Sequence, residues 1–158
     1  MRRHRHAGNK GFSLLELVIV IVILAIIAAI AIPRMSRGAA GAADSALSSN
    51  LAVLRNAIDL FAAEHGGTFP KVATIALQLT LYSETAGATS ITKDGTHIYG
   101  PYVRKIPTLP VGVKAGSSGI AAIDGIGVGW IYNEDTGEIS ANCPDSEKDA
   151  SGTQYNQY

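Results

Sequence analysis

Apolar residues are concentrated in one run near the start of the chain. From Leu17 to Ile32 every residue is apolar and uncharged, and residues 12–16 extend the run toward the N-terminus. An α-helix rises about 1.5 Å per residue and needs about 20 apolar residues to cross a bilayer. The pattern therefore predicts a transmembrane helix over residues 12–32. Glu16 lies inside that run, and a carboxylate within a membrane span costs a few kcal/mol, so it requires a partner.

A second apolar pattern follows with helical spacing. Its members recur alternately four and three residues apart, which predicts one apolar stripe along a helix over about residues 42–65: Leu47, Leu51, Leu54, Ile58 and Phe61. Asp44 and Ser45 lie near the predicted start, and His65-Gly66-Gly67 is typical of a helix end. The stripe fits either a coiled-coil seam or a helix packed on a small sheet. Its short length favours the sheet.

Pro33 separates the two helical patterns. A proline lacks the backbone donor and clashes with the carbonyl one turn earlier, so we expect a kink at Pro33. Gly38 and Gly41 lower the helix propensity further, by about 1 kcal/mol each relative to alanine. Residues 33–41 are therefore the part of the helix most prone to loosen.

The remainder of the chain predicts a small α+β head domain over residues 66–145. Residues 75–82 predict a short helix, and residues 83–97 predict a surface loop rich in small and polar residues. Three prolines predict an extended connection without a regular central strand: Pro101, Pro107 and Pro110. Residues 129–133 and 138–142 flank a turn and predict a β-hairpin. Residues 146–158 predict a flexible polar tail.

These elements define an α+β fold. A long N-terminal helix, covering residues 12–32 and 33–65, packs its second half on a small antiparallel sheet. An isolated hairpin is only marginally stable, so the helix completes the core. The 158 residues suffice for one anchor and one small domain.

Charge is segregated along the chain. There are 13 basic and 13 acidic residues, but Arg2, Arg3, Arg5 and Lys10 precede the apolar run without any acidic residue among them. The positive end of a membrane helix stays in the cytoplasm, so the head domain is predicted outside it. The rest of the chain is acidic in balance, which argues against nucleic-acid binding. The single cysteine excludes an intrachain disulfide.

The sequence GFSLLE, from Gly11 to Glu16, lies between a basic leader and an apolar helix. This arrangement resembles the prepilin motif of type IV pilins and of type II secretion pseudopilins. The resemblance implies that residues 1–11 are a leader, which a membrane-embedded prepilin peptidase removes between Gly11 and Phe12. It also implies N-methylation of Phe12, and a role for Glu16 in assembly, in which its carboxylate pairs with the N-terminal ammonium of a neighbouring subunit. Pro33 falls where family members commonly carry a helix-kinking proline.

The resemblance implies a structural subunit rather than an enzyme. Its partners would be further copies of the chain, minor pseudopilins or pilins, the prepilin peptidase and an inner-membrane assembly platform. The subunit would cross the bacterial inner membrane once, with its head in the periplasm, before it enters a periplasmic or surface filament.

Three functions compete at this level. The proline-rich connection, the W-x-Y-x-x-x-T-G hairpin and the lack of a cysteine pair favour a type II secretion pseudopilin that drives protein export. The alternative is a type IV pilin for adhesion, twitching motility or DNA uptake, many of which carry a C-terminal disulfide. An anchored enzyme or binding domain is disfavoured because it leaves Glu16 without a partner.

Catalytic and metal-binding patterns are weak. Glycines 125–129 have neither dinucleotide nor phosphate-loop spacing, and His65, His97 and Cys143 lack partners at metal-ligand spacing, so all are interpreted as structural or surface residues. We expect no cofactor. Calcium is the one alternative, because major pseudopilins commonly hold it in a C-terminal loop and this chain is acidic there, but no ligands can be assigned.

Overall fold

The structure is a computed structural model that describes residues 12–158. For residues 30–39 it describes the backbone only. The described residues divide into two compact units, with the boundary after residue 39. Helix α1 extends from Leu14 to Glu64. The predicted long N-terminal helix is therefore confirmed, whereas residues 1–11, including Gly11, lie outside the described part of the chain.

Apart from Glu16, the first part of α1, from Leu14 to Ala29, is apolar on all sides. Its large apolar side chains have exposed fractions from 41% for Val18 to 81% for Leu14. The predicted membrane span over residues 12–32 does not gain support from the structure. Within the described residues, no helix is both long and apolar enough to cross a membrane.

The backbone of α1 remains helical through Pro33, Gly38 and Gly41. A loosened stretch over residues 33–41 is therefore not seen. The helical pattern on either side outweighs the low helix propensity of these residues. The kink at Pro33 stays a prediction.

The end of α1 follows the predicted glycine cap. Gly66 has φ +66°, in the left-handed region that glycine adopts without strain. The Gly67 N–H then donates to the Ala62 carbonyl at 2.8 Å, which is the closing bond of a Schellman motif. The cap satisfies a carbonyl of the last turn and turns the chain away from the helix.

The core of the second unit is built on the predicted stripe. All five of its residues are at most 2% exposed: Leu47, Leu51, Leu54, Ile58 and Phe61. They form one cluster with Trp130, Tyr132 and Ile139 of the sheet. The expectation that this face packs on a sheet rather than in a coiled coil is confirmed.

Short elements follow α1. Helix α2 runs from Ile75 to Thr80, close to the predicted range of 75–82. Strands β1 (Tyr82–Ser83) and β2 (Thr89–Ser90) pair antiparallel, so the predicted loop over residues 83–97 contains a small ribbon. The predicted surface loop is therefore partly ordered, because the glycine-containing turn between the strands returns the chain onto itself.

The main sheet has the order β3-β4-β5. Strand β4 (Val128–Tyr132) and strand β5 (Ile139–Ala141) form the predicted antiparallel hairpin, with Trp130 opposite Ala141. Strand β3 (Gly119–Ala121) pairs parallel to β4. The predicted purely antiparallel sheet is therefore wrong: the sheet is mixed, and its parallel strand completes the side of β4 that the hairpin leaves open.

The proline-containing connection is pinned as expected. Residues 101–118 contain no strand, while Leu109 is fully buried in the core. The indole Nε1 of Trp130 donates to the Pro107 carbonyl at 2.9 Å. The Tyr132 hydroxyl donates to the Pro70 carbonyl at 3.0 Å, so both buried aromatic side chains have satisfied polar atoms.

Residues 146–158, predicted as a flexible polar tail, contain local structure and contacts to the core. A 3₁₀ helix from Tyr155 to Gln157 lies near the end of the chain, and Tyr155 and Tyr158 pack against the core. The Tyr155 hydroxyl donates to Asp44 Oδ1 at 2.9 Å, and Arg55 donates to the Tyr158 carbonyl. These contacts hold the segment against α1, although its polar composition alone predicts no such packing.

Replacing Leu54 by alanine tests the core. Leu54 is fully buried, and loss of such a side chain costs about 2–5 kcal/mol in the free energy of unfolding. We expect a loss in that range from urea unfolding of the detergent-solubilised full chain. Val53 is the matched control because its side chain is 49% exposed, and Val53→Ala is expected to cost less than about 1 kcal/mol. Equal losses in the two variants contradict this description of the core.

Candidate functional site

The predicted processing and assembly residues lie at the start of α1. Phe12 precedes the helix and is 83% exposed, and Glu16 lies in the first turn. Gly11, the residue before the predicted cleavage position, lies outside the described residues. Pro33 lies on α1, but the structure adds nothing about its side chain.

Glu16 makes a local contact that the sequence interpretation missed. Its Oε2 accepts a hydrogen bond of 2.9 Å from the Ser13 backbone N–H. In return, Ser13 Oγ accepts a hydrogen bond of 3.3 Å from the Leu15 N–H. The Ser13 carbonyl accepts the first helical bond, from the Leu17 N–H at 3.2 Å, which makes Ser13 the N-cap. Ser13 and Glu16 therefore cap the helix start together, in a variant of the capping box in which the serine hydroxyl bonds the Leu15 N–H rather than the Glu16 N–H.

The signal for this cap is present in the sequence. A serine followed three residues later by a glutamate, directly before an apolar run, is the signature of a capping box. The cap satisfies backbone donors at the helix start and places an acidic group at the positive end of the helix dipole. Glu16 thus has a structural partner within its own chain.

His65 is a structural residue and His97 lies at the surface, in line with the interpretation of the sequence. His65 is buried, its Nδ1 lies 2.7 Å from the Phe61 carbonyl oxygen, and its Nε2 lies 3.1 Å from Ser83 Oγ. Its ring stacks on Phe61 at a centroid distance of 3.7 Å. His97 instead pairs with Asp94 in an exposed turn. The His97 backbone N–H holds the pKa of Asp94 below its usual range.

Cys143 is a buried free thiol. Burial raises its pKa to about 12, and the neighbouring Glu147 carboxylate adds to that shift. A thiol with so high a pKa is protonated at neutral pH and is therefore a poor nucleophile. This environment agrees with the structural role predicted for Cys143.

The acidic C-terminal segment is organised by hydrogen bonds from its own chain. Asp149 accepts bonds from the Tyr158 hydroxyl at 2.5 Å and the Ser151 hydroxyl at 2.7 Å, and from the Thr153 backbone N–H at 2.8 Å. Asp124 pairs with Lys114 and accepts from Asn142. Across residues 12–158 there is no group of three or more His, Cys, Asp or Glu side chains suited to a metal ion.

Among the glycines at 125–129, Gly129 serves strand packing, and Gly127 has a positive φ of 75°. A Cβ at Gly129 would come within 2.3 Å of the Ser117 carbonyl oxygen, so the backbone approaches too closely for any side chain. Gly129 belongs to β4 and does not open toward a ligand pocket. The interpretation of these residues as strand or turn glycines is consistent with this geometry.

Comparison with known proteins gives one match. Residues 6–32 match the family model for the prokaryotic N-terminal methylation motif. The match contains Phe12, Ser13 and Glu16, and it supports a type IV pilin-like prepilin that is processed by prepilin peptidase and assembles, membrane-anchored, in a filament. Curated proteins and solved structures give no match.

We expect the bonds to Asp149 to make the stability of the head domain depend on pH in the acid range. The Tyr158 hydroxyl is the largest cause of the lowered pKa of Asp149, followed by the Ser151 hydroxyl. Because the folded pKa is lowered, the ionised carboxylate stabilises the fold above its unfolded pKa of about 4. That contribution is lost as pH falls through the folded pKa.

We therefore expect Asp149→Asn to unfold at lower urea concentration than the wild type at pH 7. The difference between the urea midpoints of the variant and the wild type should become smaller below about pH 4. Asp135→Asn is the matched control, because it removes one acidic charge from the same unit without removing the bonds to Tyr158 and Ser151. A gap that stays constant from pH 7 to pH 3 contradicts the prediction.

Proposed function

We propose that this protein is a structural filament subunit whose first helix assembles into a type II secretion pseudopilus that drives protein export across the outer membrane. The observation that carries the proposal is Glu16, four residues after Phe12, within a methylation motif and at the start of a helix with an exposed apolar surface. A helix that is apolar on all sides is stable only when lipid or other protein covers it. Copies of the same helix supply such a cover.

The roles of Phe12 and Glu16 follow from charge. In the proposed mechanism, cleavage after Gly11 leaves a methylated ammonium group on Phe12. Burial of this cation among apolar helices is unfavourable unless an anion lies close to it. Glu16 of a neighbouring subunit supplies the anion, so that assembly neutralises both charges. The apolar side chains between Leu17 and Ile27 carry no charge and cannot neutralise the ammonium group.

The proposed location follows from the same segment. Residues 12–32 anchor the subunit in the bacterial inner membrane by a single pass, and the basic leader stays in the cytoplasm. The head lies in the periplasm until the subunit enters the filament. Its partners there are further copies, minor pseudopilins and the inner-membrane assembly platform.

The proposal assigns no enzymatic activity and no resident cofactor. The buried, protonated Cys143 and the hydrogen-bonded His65 both have structural partners. Asp149 of the C-terminal segment accepts hydrogen bonds from Tyr158 and Ser151, and Asp124, earlier in the chain, is paired with Lys114. The alternative function is a type IV pilus pilin, which needs the same helix and the same Glu16.

Substitution of Glu16 tests the assembly role. We expect Glu16→Ala and Glu16→Gln to leave the subunit cleaved after Gly11 and membrane-associated, with filament yield reduced at least about tenfold, equivalent to ~1.4 kcal/mol. Filaments are quantified in the sheared extracellular fraction after overexpression, and cleavage is measured by mass spectrometry of the N-terminal peptide.

Asp59→Ala is the matched control, since Asp59 is an exposed acidic residue on the same helix. Its filament yield should equal that of the wild type. Normal filaments from Glu16→Ala would exclude the proposed pairing with the Phe12 ammonium group.

Deletion of the gene distinguishes the secretion pseudopilin from the type IV pilin. For a secretion pseudopilin we expect exported proteins to accumulate in the periplasm while surface fibres remain visible by electron microscopy. The complemented strain serves as the control. Lost fibres with normal secretion would instead establish the pilus pilin.

A further inference from the structure

We propose that Ser13 is a positioning residue for Glu16 in filament assembly, acting through the capping box that the two residues form. This inference rests on the proposed function, because it concerns how Glu16 comes to face its partner. The supporting contacts are the 2.9 Å bond from the Ser13 N–H to Glu16 Oε2 and the 3.3 Å bond from the Leu15 N–H to Ser13 Oγ.

The capping box fixes the direction of the Glu16 side chain. Without a bond, a glutamate on an exposed helical turn populates several rotamers. The bond to the Ser13 N–H draws the carboxylate back over the first turn, toward the end of the helix that carries Phe12. A neighbour's ammonium group then meets a carboxylate that is already oriented, and less conformational entropy is lost on pairing.

The bond and the proposed ion pair are compatible. A carboxylate has two oxygens and about four acceptor sites, so Oε2 can keep its bond to Ser13 while Oε1 accepts from an ammonium group. Processing does not remove the donor. Cleavage between Gly11 and Phe12 leaves the Phe12–Ser13 peptide bond intact, and this bond carries the Ser13 N–H. The cap therefore operates in the mature subunit.

The side-chain hydroxyl of Ser13 supplies the other half of the box. It caps the Leu15 N–H and so holds Ser13 in the non-helical N-cap conformation from which its own N–H reaches Glu16. Alanine at position 13 removes the hydroxyl, whereas threonine keeps it. Glutamine at position 16 keeps an acceptor for the Ser13 N–H but removes the charge.

The experiment compares Ser13→Ala and Ser13→Thr in the full-length chain. We expect Ser13→Ala to reduce filament yield about 3- to 10-fold, the effect of losing a helix cap, while cleavage and membrane association stay normal. Ser13→Thr should stay within about twofold of the wild type. Ser45→Ala is the matched control, because Ser45 Oγ only donates to the Gly41 carbonyl within the same helix.

A double-mutant cycle distinguishes positioning from simple helix stabilisation. In the Glu16→Gln background no carboxylate needs to be oriented, so adding Ser13→Ala should cause little further loss of filaments. An equal loss in both backgrounds would show that Ser13 only stabilises the helix, and it would overturn the inference.

The outcomes also separate this inference from the proposed function. If Glu16→Ala abolishes filaments while Ser13→Ala assembles like the wild type, the positioning role fails and the function of Glu16 stands. If Glu16→Ala assembles normally, the proposed function fails, and the positioning role fails with it. If Ser13→Ala blocks cleavage instead, Ser13 acts in recognition by the peptidase, and the inference is wrong.

Discussion

The packing of one face of α1 on the sheet is the contact on which the 40–158 unit depends. Each sheet is small: β1 and β2 contribute two residues each, and β4, the longest strand, has five. Sheets of this size do not hold a stable structure by themselves. The buried stripe centred on Leu54 supplies the missing apolar surface, and Trp130 and Tyr132 fill the space between helix and sheet. The tail and the proline-containing connection then dock onto this frame.

The same helix imposes a different constraint within residues 12–29. Apart from Ser13 and Glu16, the side chains there are apolar and exposed, so this part has no core of its own. One helical element thus carries two patterns: a single stripe where it meets its own sheet, and a continuous apolar surface where it does not. The proposed filament assembly accounts for the second pattern, because the helices of neighbouring subunits would cover these side chains.

Elements with strong local signals were predictable from the sequence. The stripe of α1, its glycine cap and the β4–β5 hairpin all depend on residues within a few positions of each other. Strand β3 was missed because Gly119–Ala121 offers only three residues without alternation, and its partner is determined by tertiary packing. The docked tail was missed for a related reason. Its order depends on Asp44 and Arg55, about 100 residues earlier in the chain, and polar composition does not reveal such contacts.

Glu16 combines a contact within its own chain, the helix cap with Ser13, with a proposed contact to a neighbouring subunit. Its acidic charge inside an apolar run indicates a role in assembly, whereas the S-x-x-E spacing from Ser13 indicates a helix cap. A capping box alone would accept glutamine equally well, because an amide oxygen also accepts the Ser13 N–H. An ion pair alone would not require a serine three residues earlier. The combination of an acidic group at position 16 and a cap at position 13 fits a carboxylate that must be both charged and oriented.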